Sequence, residues 1–135
     1  MTRGKIMLSV LVGLLVTLGI GYAWGASGRF SLSRSLDDTR QRLDIAEARG
    51  HLLDARVSLY NVNFGEASRH FEEAKVPLRR AQDRYQGIRN SAAANSVAAA
   101  IEHATEAQRL AGKLDQTANA KAGDALEAIR VAEQK

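Results

Sequence analysis

Two of the three histidines in this chain have a carboxylate four residues earlier. His51 follows Glu47, and His70 follows Glu66, so each pair would share one face of a helix. Carboxylate and imidazole groups facing each other on adjacent helices have the composition of a metal site. The Glu-x-x-His spacing of di-iron bundles is absent, however. We therefore interpret the pairs as contacts on helix surfaces, and we expect no metal site and no cofactor.

Other catalytic chemistry is also missing from the sequence. None of the 135 residues is cysteine, which excludes disulfides, thiolate metal sites and a thiol nucleophile. The sequence has no glycine-rich phosphate loop, no serine in a nucleophile elbow and no HExxH motif. We therefore expect a non-enzymatic protein with no catalytic residues and no small-molecule substrate.

The N-terminal region is strongly apolar. Residues 6–26 contain no charged side chain and follow a short basic tail at residues 1–5. As a helix this segment would be about 31 Å long, which matches the hydrocarbon core of a bilayer. Trp24 stands where an interfacial aromatic would be expected. The pattern predicts a single-pass transmembrane signal anchor, and the alternative is a signal peptide cleaved near Ala26, which would release a secreted helical binding protein.

The orientation follows from the short basic tail. Basic residues flank both ends of the apolar segment, so counting them does not decide the topology. Short basic tails before a first apolar segment commonly stay in the cytoplasm while the longer C-terminal part is exported. We therefore expect a protein of the inner (plasma) membrane in a bacterial-type cell envelope, with its soluble domain on the periplasmic or extracytoplasmic side.

Small residues recur at every fourth position of the predicted membrane helix. They are Ser9, Gly13, Thr17, Gly21 and Gly25. Helices in lipid associate by close approach of their backbones across such residues. The stripe therefore predicts packing against a second copy of this helix or against another membrane helix.

The rest of the chain is predicted to be helical and nearly neutral. The chain has 19 basic and 15 acidic residues, and two of the basic ones precede the membrane segment, so nucleic-acid binding is not expected. We predict a linker at 27–31 and an all-α domain at 32–135, built as an antiparallel hairpin or bundle of three to four helices. The expected helices cover about 34–60, 64–89 with a kink near residue 77, 92–115 and 118–133, and the last two are either separate or one long helix.

Apolar residues alternate spacings of three and four along the first two predicted helices, as in a coiled-coil seam. The first seam consists of Leu32, Leu36, Thr39, Leu43, Ala46, Gly50, Leu53, Val57 and Tyr60. Asn61, Asn63 and Gly65 are poor residues for a helix interior, and Asn63 with Glu66 resembles a capping box. We therefore predict a turn near residues 61–63 that folds the second helix back on the first.

The segment 51–74 resembles one tetratricopeptide repeat. Its small residue at the middle of the first helix is Ala55, and its second helix has Phe64, a Glu66-Ala67 pair, Phe71 and Ala74. His51 stands where that family has a large aromatic, and no second copy follows 34 residues later. The resemblance implies a helical hairpin and protein binding. We expect the hairpin to be packed by Leu53, Ala55, Tyr60, Phe64, Ala67, Phe71 and Ala74.

A basic stretch of the second helix is the remaining candidate surface. It consists of Lys75, Arg79, Arg80, Arg84 and Arg89. Such a run is usually a solvated helix face, and it would also suit docking on an acidic partner or on anionic lipid. The sequence thus favours a membrane-anchored interaction or scaffold module. The alternative is an anchored structural homo-oligomer that pairs through the coiled-coil seam.

Overall fold

The computed structural model describes the backbone of residues 2–135, and the side chains of these residues except 2, 5, 6 and 23–32. Four helices cover most of it: α1 (Thr2–Tyr60), α2 (Phe64–Gly87), α3 (Ser91–Ala111) and α4 (Ala118–Glu133). The predicted all-α class is therefore confirmed.

The chain divides into two compact units, residues 1–39 and residues 40–135. The first unit is the N-terminal part of α1, and no separate linker occurs at 27–31 because α1 is helical there. Each glycine in a helix costs only about 1 kcal/mol relative to alanine, and no proline interrupts this stretch. Among the described residues, none of the helices combines the length and the apolar character needed to cross a membrane. Residues 6 and 23–26 of the predicted membrane segment lie outside the described side chains.

The second unit is an up-and-down bundle of four helices, formed by α1 from Arg40 onward with α2, α3 and α4. The amide Nε2 of Gln41 donates to the carbonyl of Ala81 at 3.3 Å, while His51, later on α1, faces Glu73, earlier on α2. This pairing makes α1 and α2 antiparallel. The fourth helix returns alongside α1, where Arg56 Nε donates to the Oδ1 atom of Asn119 at 2.8 Å.

The turn between α1 and α2 uses side-chain and backbone capping together. The Oδ1 atom of Asn63 accepts from the backbone N–H of Glu66 at 3.3 Å, as the capping pattern predicts. At the end of α1, the N–H of Asn63 bonds to the carbonyl of Ser58 and the N–H of Val62 to that of Leu59, which is a Schellman motif. Val62 takes a left-handed φ of 59° to close it.

Alanine dominates the core of the bundle. Phe71 is the largest fully buried side chain, and most of the other buried apolar residues are alanine. The buried apolar residues of α1 are Ile45, Ala48, Leu52, Ala55 and Leu59, and those of the remaining helices include Ala67, Ala74, Leu78, Ala81, Val97, Ala100, Ala104, Ala107, Ala122, Ala125 and Ile129.

Two features of the later helices concern Pro77 and the end of α3. The second helix continues through Pro77 as one helix, since proline removes only one of its backbone hydrogen bonds. The third helix ends at Ala111, and the turn at 112–117 makes α3 and α4 separate helices. In that turn Asp115 Oδ1 accepts from the backbone N–H of Thr117 at 2.9 Å and from its hydroxyl at 2.7 Å. Asp115 thereby orders the start of α4.

Candidate functional site

One apolar face of α1 within the second unit is directed away from the bundle core. Its large residues are between 46% and 68% exposed. We define the exposed α1 seam as Leu43, Ala46, Gly50, Leu53, Val57 and Tyr60. Leu53 and Tyr60, predicted to pack within the hairpin, belong to this seam, while the face with Ile45 and Leu59 forms the core. The seam prediction therefore identified a real apolar stripe but assigned it to the wrong side of α1.

Tyr60 lies at the C-terminal end of the exposed α1 seam and is 68% exposed. Hydrogen bonding to Asn119, and then the hydrogen bond and charge of Arg56, lower the pKa of the Tyr60 phenol below its usual range.

Charged residues flank the exposed α1 seam in an ordered way. In heptad terms Leu43, Gly50 and Val57 take the a positions. The g positions that precede them hold Arg42, Arg49 and Arg56, and the e positions hold Arg40, Glu47 and Asp54. Several of these charges also have partners in their own chain; for example, Glu47 pairs with Arg80 at 2.6 Å and Arg49 with Glu133 at 2.5 Å. The seam is therefore bordered by arginines on one side and mainly by carboxylates on the other.

Three of the five residues in the predicted basic docking face are hydrogen-bonded to other residues of the chain. Arg80 Nε donates to Asp44 Oδ1 at 2.8 Å, and Arg84 Nε donates to Asp44 Oδ2 at 3.0 Å. Lys75 is buried and donates to Gln108 Oε1 at 2.8 Å. Only Arg79 and Arg89 of the predicted five are left as exposed residues outside this network.

The remaining predicted packing residues divide between the two units. In the hairpin, Ala55, Ala67, Phe71 and Ala74 are buried, and Phe64 packs at the edge of the core. On the N-terminal stripe, Ser9, Gly13, Thr17 and Gly21 are exposed, and Gly25 lies outside the described side chains. A Cβ atom at Gly13 or Gly21 would meet nothing within 4 Å. The Thr17 hydroxyl donates to the carbonyl of Gly13 at 2.8 Å.

Two histidines meet a carboxylate where α1 packs on α2. Glu73 Oε2 lies 3.3 Å from His51 Nδ1 and 3.1 Å from His70 Nδ1, and the two imidazole rings are 6.3 Å apart. Glu66 Oε1 lies 3.4 Å from the other ring nitrogen of His70. The sequence indicated the Glu66–His70 pair but missed Glu73, which the register of the hairpin brings opposite His51.

No protein-family model matches this chain, and neither a curated protein nor a solved structure matches it.

Proposed function

We propose that this chain is a single-pass, membrane-anchored helical scaffold of the cell envelope that acts through protein contacts rather than catalysis. The exposed α1 seam is the observation that carries this proposal. The bundle already buries an alanine core, and a second apolar stripe that stays exposed adds no stability to the monomer. Exposed apolar surface of this kind typically marks an interaction site. The anchor itself is proposed from the uncharged segment 6–26, and the tetratricopeptide-like hairpin is consistent with a binding role.

The partner that best fits the exposed α1 seam is a second copy of the chain. In a parallel coiled coil, a g residue of one helix faces the e residue five positions later on the other. Arg42 then faces Glu47 of the second copy, and Arg49 faces Asp54 of the second copy, so both contacts are attractive. An antiparallel pair would bring g next to g, where Arg42, Arg49 and Arg56 would repel one another. The charges therefore favour parallel pairing.

Membrane anchoring supports the same arrangement. Copies that enter from one side of a bilayer present their α1 helices in the same direction and at a high effective concentration. The exposed α1 seam spans only about two and a half heptads and includes Ala46 and Gly50, so its intrinsic affinity is small. Pairing is accordingly expected in the membrane and weak for the detached bundle.

Charge reversal tests the pairing with matched variants. Asp54→Arg alone opposes Arg49, and Arg49→Glu alone opposes Asp54, so each single variant should lose the dimer. When the two variants are co-expressed, both contacts become attractive again and mixed dimers should form, as detected by co-purification of two differently tagged full-length chains. Mixed dimers no more abundant than either homodimer would contradict parallel self-association. Co-purification of a protein of different sequence would instead identify the chain as a scaffold for a heterologous partner.

Fractionation tests the anchor. The full-length chain should remain with membranes after carbonate washing and should keep the N-terminal tail on peptide sequencing. An N-terminus beginning near Ala26 in a soluble fraction would replace the anchor with the secreted alternative.

A further inference from the structure

We propose that His51, His70 and Glu73 form a binding site for a transition-metal ion with the coordination preferences of Zn²⁺. Their candidate ligand atoms all lie within 4.8 Å of one another. The three residues come from both helices of the hairpin, so a bound ion would connect α1 to α2. This site is independent of the proposed self-association through the exposed α1 seam.

The spacing of the ligand atoms suits a small tetrahedral ion. With bonds of about 2.0 Å, two ligands of tetrahedral Zn²⁺ lie about 3.3 Å apart. Glu73 Oε2 is 3.3 Å from His51 Nδ1 and 3.1 Å from His70 Nδ1. An ion can therefore enter between these atoms with little movement of the helices, and a water molecule would complete its coordination.

A buried nitrogen without a hydrogen bond is the second observation. Among the described residues, His51 Nδ1 is the buried side-chain polar atom that lacks any hydrogen-bond partner. Glu73 is near enough for a charge contact, yet the geometry is not that of a hydrogen bond. Buried polar atoms are nearly always satisfied, and a metal ion would satisfy this one.

Glu66 supplies the outer contact that metal-binding histidines usually have. Its Oε1 atom lies 3.4 Å from His70 Nε2, on the side of the ring opposite Glu73. His70 Nδ1 lies at hydrogen-bond distance, 3.1 Å, from Glu73 Oε2. When an ion takes the place of the proton on Nδ1, the Glu66 carboxylate accepts from the N–H at Nε2.

The nature of the ligands selects the class of metal. Two imidazole nitrogens and one carboxylate suit Zn²⁺, Cu²⁺ or Ni²⁺, whereas Mg²⁺ and Ca²⁺ prefer an all-oxygen shell. The role is structural, because an ion held by both helices stabilises the folded hairpin.

Titration of the full-length chain with Zn²⁺ alone, after chelator treatment and in detergent, tests the site by calorimetry. We expect one ion per chain, a rise in melting temperature on binding and no response to Mg²⁺. His51→Gln and His70→Gln should each weaken binding by at least about 100-fold, and Glu66→Gln by about 10–100-fold. The third histidine provides a matched control, since His103→Gln should bind as the wild type does.

Circular dichroism of each variant distinguishes loss of the metal site from poor folding. A variant that loses Zn²⁺ binding supports the site only if its helicity equals that of the wild type. Glu73→Gln serves as an alternative variant because it preserves side-chain size. The assignment would be overturned if Zn²⁺ binding survived in both His51→Gln and His70→Gln. It would also be overturned if His103→Gln removed binding as fully as those variants do, or if the wild-type chain did not bind Zn²⁺.

Discussion

Asp44 of α1 accepts a hydrogen bond of 2.8 Å from the Nε atom of Arg80 of α2. The Asp44 side chain is only 8% exposed, and its second oxygen accepts from Arg84 at 3.0 Å. One carboxylate on the first helix thus holds two residues of the predicted basic face against the bundle. These two arginines of the predicted face are therefore engaged within the chain.

Asp44→Asn should lower the free energy of unfolding by about 1–3 kcal/mol, because two charge-assisted hydrogen bonds to a nearly buried group are weakened. Urea denaturation of the full-length chain measures this change. Glu47→Gln is a matched control on the same helix, since Glu47 also pairs with Arg80 but is 44% exposed and should change stability by less than about 1 kcal/mol. Equal losses in the two variants would contradict the role given to Asp44.

The alanine core should resist enlargement. Ala104 is fully buried, and Ala104→Leu inserts three carbon atoms between closely packed helices. We expect a loss of about 1–3 kcal/mol in unfolding free energy. Thr105→Leu, at the exposed neighbouring position, should stay within about 0.5 kcal/mol of the wild type. A neutral Ala104→Leu would show that the helices are less closely packed than described.

The left-handed residue at the end of α1 offers a stabilising change. Val62 has a φ of 59°, which is costly for a β-branched side chain and free of strain for glycine. Val62→Gly should therefore raise the free energy of unfolding by about 1 kcal/mol, after allowance for the greater flexibility of glycine in the unfolded chain. Thermal denaturation would reveal the change, and a lower melting temperature would mean that the turn does not have this conformation.

The turn before α4 should be acid-sensitive. The backbone N–H of Thr117, and then its hydroxyl, lower the pKa of the Asp115 carboxyl below its usual range. A carboxyl whose pKa is lower in the folded state stabilises the fold above its unfolded pKa, and this contribution is lost as the pH falls through its folded value. Unfolding free energies measured between about pH 5 and 2 should therefore decline less steeply in Asp115→Asn than in wild type. An unchanged slope would contradict the role given to the Asp115 hydrogen bonds in this turn.

The sequence was most informative where local chemistry decides the structure. The turn at 61–63, the cap at Asn63 and the start of α2 follow from residues close to one another along the chain. The buried face of α1 could not be chosen in this way. The set from Leu43 to Tyr60 and the set from Ile45 to Leu59 both follow three-four spacing. Periodicity identifies an apolar stripe but does not show which surface packs against it.

The histidine cluster illustrates the same limit across helices. The sequence places Glu66 and His70 on one helical face, but the arrival of His51 beside Glu73 depends on where the hairpin turns. Once the turn is fixed at 61–63, antiparallel pairing brings those two residues opposite each other. Spacing within a single helix therefore could not reveal the third ligand.

Cysteine crosslinking at Leu53 tests the central claim most directly. The chain contains no cysteine, so Leu53→Cys introduces a single thiol at a d position, where the two copies of a parallel pair are in contact. Mild oxidation of native membranes should yield a disulfide-linked dimer, whereas Glu72→Cys, at an exposed position of α2, should stay monomeric. Absence of the disulfide-linked dimer in Leu53→Cys, or equal crosslinking at both positions, would contradict parallel pairing through the exposed α1 seam.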